Sequence, residues 1–334
     1  MKIDIFPHIL TDKYKETLYK KLGSRAKSFY RDDLEGTPPL SNLDERFRIM
    51  DKYDEYVQVI NMVSPSLESV VEPKEAVELA KLANDEMAEL VAKYPDRFVA
   101  AVACLPMNDM DAALKEVDRA IKDLRFRGVQ IFVPINDKSP GLPEFMPLYE
   151  KMAQYDLPIL MHPLREADVP DYRTEKRSKY FIHSIFGWPY ETTVAMAHLA
   201  FSGVFDKYPN LKFITHHCGA MVPYLEQRIT QLYHYFDVRL KTKELPMLTK
   251  RPVDYFRMFY NDTAIYGSTP GLMCGYAFFG ADRILFGTDM PFDPQCGDLY
   301  IRQTIKSVEQ MDIPDLDKEK IFADNARKLF RLSV

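Results

Sequence analysis

The sequence contains no run of about 18 apolar residues, no closely spaced cysteine pair and no surplus of one charge sign, and each absence removes a class of protein. Without a long apolar run, no membrane-spanning helix is expected. The four cysteines, Cys104, Cys218, Cys274 and Cys296, lie far apart. Free thiols in a reducing cytoplasm are therefore expected, rather than a disulfide framework. The 44 basic and 49 acidic residues leave a net charge of -5, which gives nucleic acid or an anionic membrane no basic face to bind. Glycine is sparse, and no glycine-rich dinucleotide loop occurs. The N-terminus opens on a strand-like run with no leader pattern.

What is present is a regular alternation. With 46% hydrophobic residues in 334, the chain can bury a large core. Short β-rich runs fall at 2–6, Val57–Val63, Phe98–Leu105, Val129–Val133, Pro158–Met161, Lys212–Thr215, Met258–Asn261 and Arg283–Phe286. Helical spacing occupies 43–53, 73–93, 110–124, 143–155, 189–207, 220–236, 270–279, 298–311 and 317–331. Parallel strands need helical crossovers, so this order predicts a parallel sheet. Eight strand–helix units predict closure into a (β/α)8 TIM-type barrel. An open doubly wound sheet is the alternative. One domain over residues 1–334 is expected. Long βα loops near 9–42 and 163–188 would cap its mouth, with a further excursion at 237–256.

Four of the runs end in metal-type or acid/base side chains. His8 follows Ile3-Asp4-Ile5-Phe6-Pro7, and His162 follows Leu157-Pro158-Ile159-Leu160-Met161. His216 and His217 follow Phe213-Ile214-Thr215, and Asp289 follows Ile284-Leu285-Phe286-Gly287-Thr288. The C-terminal strand ends of such a barrel converge on one point, so these groups form a candidate metal or proton-transfer site. Asp289 ends a run too apolar to hold an unpartnered carboxylate. Alternation in a strand lets only one of His216 and His217 face the lumen, and places the other toward the helical layer. His198, in an apolar helical stretch, reads as a packed histidine, and Asp293 as an exposed loop residue. Arg46 has a guanidinium fork suited to a carboxylate, although Glu45, Arg46 and Arg48 also read as a solvated helix face. Phe6, Trp188 and Phe292 are candidates for an apolar pocket wall.

Several segments together carry a family resemblance: Trp188-Pro189-Tyr190-Glu191-Thr192-Thr193, Ser202-Gly203-Val204-Phe205-Asp206-Lys207-Tyr208-Pro209, His217-Cys218-Gly219, and Asp282 through Phe292. Over nearly its full length the chain resembles the amidohydrolase-related decarboxylases typified by aminocarboxymuconate-semialdehyde decarboxylase and γ-resorcylate decarboxylase. The resemblance implies a distorted (β/α)8 barrel, one divalent ion (zinc or manganese) and a homodimer. It places metal ligands on His8, His162 and Asp289, the proton-transfer histidine on His217 with Asp289, and a carboxylate-gripping arginine on Arg46. The expected activity is non-oxidative decarboxylation of a small aromatic or unsaturated carboxylic acid.

One position departs from that pattern. The family opens with His-x-His or Glu-x-His at the end of the first strand, and here Phe6 occupies the first of the two places. Three ligands still suffice for a catalytic metal. The departure keeps two other readings open: a metal-dependent hydrolase or hydratase on the same barrel, and a catalytically altered binding protein.

Overall fold

The computed structural model of the protein describes residues 1–23, 34–240, 246 and 248–334. Its strand segments are β1 (Lys2–Asp4), β2 (His8–Ile9), β3 (Tyr56–Met62), β4 (Phe98–Ala101), β5 (Val129–Val133), β6 (Ile159–Pro163), β7 (Phe213–Thr215), β8 (Tyr260–Asp262) and β9 (Ile284–Leu285). Every pairing between them is parallel. One arc runs β1-β3-β4, with β2 continuing β1 along β3, and the other runs β5 through β9 in order.

Backbone hydrogen bonds join the two arcs into a ring. Ala103 bridges to Val129 beyond the end of β4. On the other side the Ile5 amide donates to the Phe286 carbonyl at 3.0 Å, tying the first strand to the last. The fold is the parallel (β/α)8-type barrel that the strand–helix alternation predicts.

Side-chain alternation sorts the core into two layers. Ile3, Ile5, Val57, Val59, Ala100, Val102, Leu160, Ile214 and Leu285 fill the barrel interior. Ala323, Ala326, Leu329 and Phe330, from the last helical segment, pack against this layer. The opposite strand faces meet the helices in a second, larger cluster. The helix Pro73–Lys93 shows how the outer layer forms. Proline sits in its first turn, where no amide partner is needed, and Ala76, Leu79, Ala80, Ala83 and Met87 recur at three- and four-residue steps on its buried face. Among the described residues, no helix is long and apolar enough to cross a membrane.

Several boundaries differ from the sequence expectation. The stretch after the first strand is not only a loop: Asp12–Leu22 is helical and packs Tyr14 and Leu18 inward. Residues 24–33 of that expected loop lie outside the described residues, as do 241–245 and 247 of the later excursion. The helix expected from 220 begins at Glu226, because residues 217 to 220 all adopt positive φ. His198 is exposed on its helix rather than packed, since the buried stripe of that helix runs through Ala195, Met196, Leu199 and Ala200.

Candidate active site

The interior alternation leads directly to the site. Leu160 points into the barrel, and so does His162 two residues on. Ile214 points in, and so does His216. His8 starts β2, its amide donating to the Met290 carbonyl at 2.8 Å. Asp289 lies beyond β9 at φ 63°, its amide donating to the Phe6 carbonyl at 3.1 Å. Gly287 permits this approach: a Cβ there would stand 2.9 Å from Asp262 Cβ and 3.5 Å from Phe6 Cβ.

The result is a buried cluster of His8, His162, His216 and Asp289, whose ligand-type atoms all lie within 4.8 Å of one another. His8 Nε2 is 3.1 Å and His216 Nε2 3.4 Å from Asp289 Oδ1. The other carboxylate oxygen, Oδ2, accepts a hydrogen bond from the Tyr266 hydroxyl at 2.8 Å and lies 3.8 Å from His217 Nε2. One carboxylate thus divides its oxygens between two neighbourhoods.

The imidazoles are oriented from behind. His162 Nδ1–H donates to the Pro163 carbonyl at 2.7 Å, which leaves Nε2 as the free lone pair. His216 Nδ1–H donates to Asp262 Oδ2, while Asp262 Oδ1 accepts from the amides of Cys218 (3.2 Å) and Ala264 (2.9 Å). Among the described residues, neither ring nitrogen of His8 nor Nε2 of His216 finds a hydrogen-bond partner. Buried imidazole lone pairs facing a carboxylate, with the far nitrogens of His162 and His216 held by a carbonyl and a carboxylate, are a donor set that suits a divalent ion. Two donors sharing one ion at ~2.1 Å must lie within ~4.2 Å of each other, and the 3.1 and 3.4 Å separations satisfy this.

The electrostatics follow from burial and crowding. Burial works to raise the Asp289 carboxyl, but the His216, His217 and His8 imidazoles outweigh it and hold the group well below the usual carboxylate range. Burial pushes His162 well down, and the neighbouring His8 and His216 add to that. Burial also lowers His217, with His216 adding to the effect. His216 goes the other way: burial opposes its charge, yet Asp262 and Asp289 push it up to about 10. Asp289 is therefore an anion facing three imidazoles.

Both His216 and His217 face the site, contrary to the expectation that one would turn outward. Strict alternation ends at Thr215. His217 then takes φ 59°, Cys218 56°, Gly219 71° and Ala220 54°, which swings the His217 ring back over His216 with centroids 3.9 Å apart. A run of left-handed residues costs ~1 kcal/mol or more at each non-glycine position, and such strain gathers at functional sites. The Asp262 carboxylate holds the turn through the Cys218 amide.

His8, His162 and Asp289 form one wall of a cavity of about 580 Å³, which Trp188, Phe292, Tyr266, Tyr300 and His183 also line, while His216 and His217 lie behind that wall. Asp293, expected to be exposed, lines it too and accepts the Tyr300 amide at 3.0 Å. Among the described lining residues there is no lysine or arginine. Phe6 and Arg46 are not in the cavity. Phe6 is fully buried behind His216. Arg46 is fully buried as well, contrary to a solvated face, because backbone carbonyls capture its fork. It donates to the His8 carbonyl (2.8 Å), the Pro39 carbonyl (3.1 Å) and Gln58 Oε1 (2.8 Å). Burial pulls its pKa down to about 10.

Sequence reasoning missed two participants, Asp262 and Tyr266, and left open which of His216 and His217 faces the lumen. For His216 the two-residue spacing from Ile214 was a readable signal. Asp262 ends an apolar run just as Asp289 does. Tyr266 sits in a turn with φ 54° and carried no signal of its own.

Comparison with known proteins identifies the family and the fold. A gamma-resorcylate decarboxylase of Polaromonas sp. (strain JS666) is 34% identical over 301 residues, covering 87% of each chain. The crystal structure of a 2,6-dihydroxybenzoate decarboxylase complexed with 2,6-dihydroxybenzoate superposes with TM-score 0.82 at 30% identity, covering 99% of both chains. That of a dihydroxybenzoic acid decarboxylase from Polaromonas sp. JS666, with bound manganese and the inhibitor 2-nitroresorcinol, gives TM-score 0.82 at 29% identity over 100% of this chain and 97% of that one. The family model described as Amidohydrolase matches residues 16–332, and the chain belongs to the amidohydrolase family.

Proposed function

We propose that the protein is a metal-dependent, non-oxidative decarboxylase of a small aromatic carboxylic acid. The observation that carries this reading is the convergence of three buried imidazoles and Asp289 on one point, with His8, His162 and Asp289 opening onto a cavity with apolar sides. His8, His162 and Asp289 would hold one divalent ion, manganese or zinc. When bound, that ion supplies Lewis-acid polarisation and a template for the substrate carboxylate and an adjacent oxygen.

The protein's own groups supply the rest. Among the described lining residues there is no lysine or arginine to attract an acid substrate, a task the ion would take. Trp188 and Phe292 present flat apolar surfaces to a planar ring. His217 would be the acid: its Nε2 lies 3.8 Å from Asp289 Oδ2, beyond hydrogen-bond reach, and it would take a proton from solvent and deliver it to the substrate. The ring carbon bearing the carboxylate accepts this proton. The bond to the carboxylate carbon then breaks, its electron pair restores the aromatic ring, and carbon dioxide leaves. Tyr266 holds Oδ2 in place through its hydroxyl. The four unpaired thiols suit a reducing compartment such as the cytoplasm.

The test is turnover of a panel of ortho-hydroxylated aromatic acids by metal-loaded protein in deuterated water. Carbon dioxide release with one deuterium at the vacated carbon is the expected result. Incorporation of solvent oxygen into the product without carbon dioxide would replace this reading with a hydrolase or hydratase. Absence of both turnover and metal would leave a binding protein.

A further inference from the structure

We propose that His216 is itself a metal ligand, making the donor set His8, His162, His216 and Asp289, and that it supplies the contact Phe6 cannot. This rests on the metal-dependent reading above and extends it to a fourth donor from a different strand.

Three independent observations meet at this residue. The first is orientation. His216 is fully buried, and its Nδ1–H is committed to Asp262, so the lone pair on Nε2 points away from that carboxylate toward Asp289 Oδ1. Asp262 is locked in turn by the Cys218 and Ala264 amides. A carboxylate–imidazole pair of this kind fixes the tautomer and ring direction that metal binding requires.

The second is that Nε2 has no hydrogen bond although it is buried. A buried polar nitrogen without a partner is destabilising, and an ion bound to it removes that cost. The third is the packing of Phe6. Its ring lies flat on His216, centroids 4.1 Å apart and planes 20° apart. Phe6 has no donor atom, yet it fills the space beside the cluster and prevents the imidazole from rotating out of line. The position that lacks a ligand atom thus braces the side chain that has one.

The experiment measures metal affinity and the number of coordinated nitrogens, not activity alone. Purified protein is stripped with chelator and titrated with manganese by equilibrium dialysis, with elemental analysis of the loaded form. His216→Gln is expected to bind manganese at least ten-fold more weakly than the parent. Pulsed electron paramagnetic resonance of the manganese-loaded parent protein is expected to show three imidazole nitrogens. This second measurement needs no variant and so is independent of folding defects. A double variant, Phe6→Glu with His216→Gly, is expected to bind manganese more tightly than His216→Gly alone, because the first strand then offers a carboxylate where the imidazole has been removed. If the parent binds one ion, shows two nitrogens, and His216→Gln binds within three-fold of it, the fourth-ligand assignment falls while the metal-dependent reading stands. If the parent binds no ion, both fall.

Discussion

Phe6 and His216 stack face to face, with 4.1 Å between ring centroids and 20° between ring planes. Both are fully buried, so the aromatic ring is part of the wall that sets the direction of the imidazole. Truncation at Phe6 therefore acts on packing first. Phe6→Ala is expected to cost ~3–5 kcal/mol of unfolding free energy, read from a denaturant titration of the metal-free protein. A cost below ~1 kcal/mol would mean that the ring is not packed as described.

His217 and Tyr266 address the other oxygen of Asp289 from His8 and His216, so on the proposed function metal binding and proton transfer are expected to separate. His217→Gln is expected to keep its bound metal while kcat falls ~100-fold, the usual scale for a lost acid/base group. Tyr266→Phe removes the 2.8 Å hydrogen bond to Oδ2 and is expected to lower kcat ~10-fold at unchanged metal content. Loss of metal in either variant would place that residue on the ion side of the carboxylate.

Arg46 is braced by two backbone carbonyls and Gln58, and one of those carbonyls belongs to His8. Arg46→Lys cannot reproduce the fork. It is expected to lose ~3 kcal/mol of stability with little change in KM for the folded fraction. A raised KM at unchanged melting temperature would return Arg46 to the substrate-gripping role that its sequence position suggested.

Glu68 lies away from the site beside Cys104 and Gln130, and its Oε1 lacks a hydrogen-bond partner. Burial holds its carboxyl up at about 7, against an ordinary 4.5. The folded form binds this proton more tightly than the unfolded form. The stability it contributes is fully present below pH 4.5 and is lost as pH rises through about 7. Glu68→Gln is expected to flatten that decline, a difference on the order of 3 kcal/mol between the two ends, measured by urea unfolding at several pH values. An unchanged pH profile would show that Glu68 titrates normally.

The barrel was legible because alternating strands and helices leave few topologies open, and His8, His162 and Asp289 were legible as polar ends of apolar runs. The limits were local. Alternation correctly aims His216 inward from Ile214, but it says nothing of four successive left-handed residues that bring His217 to the same side. Arg46 read as a surface or substrate residue because a sequence does not show which carbonyls converge on a guanidinium. Phe6 was expected to face the substrate as part of the pocket wall; the bend between Asp4 and His8 instead sets it behind the imidazole.

Beneath the cluster runs a buried chain of hydrogen bonds. Arg46 donates to Gln58, Gln58 to the Tyr56 hydroxyl at 3.0 Å, and Tyr56 to Asp4, which also accepts from Thr288, 284 positions along the chain. This places the join between the two most distant strands directly under His8 and Asp289. His8 is made long before Asp289, so the four-residue cluster cannot assemble until the chain has reached Asp289. The cluster thus reports closure of the whole ring rather than the folding of any local segment.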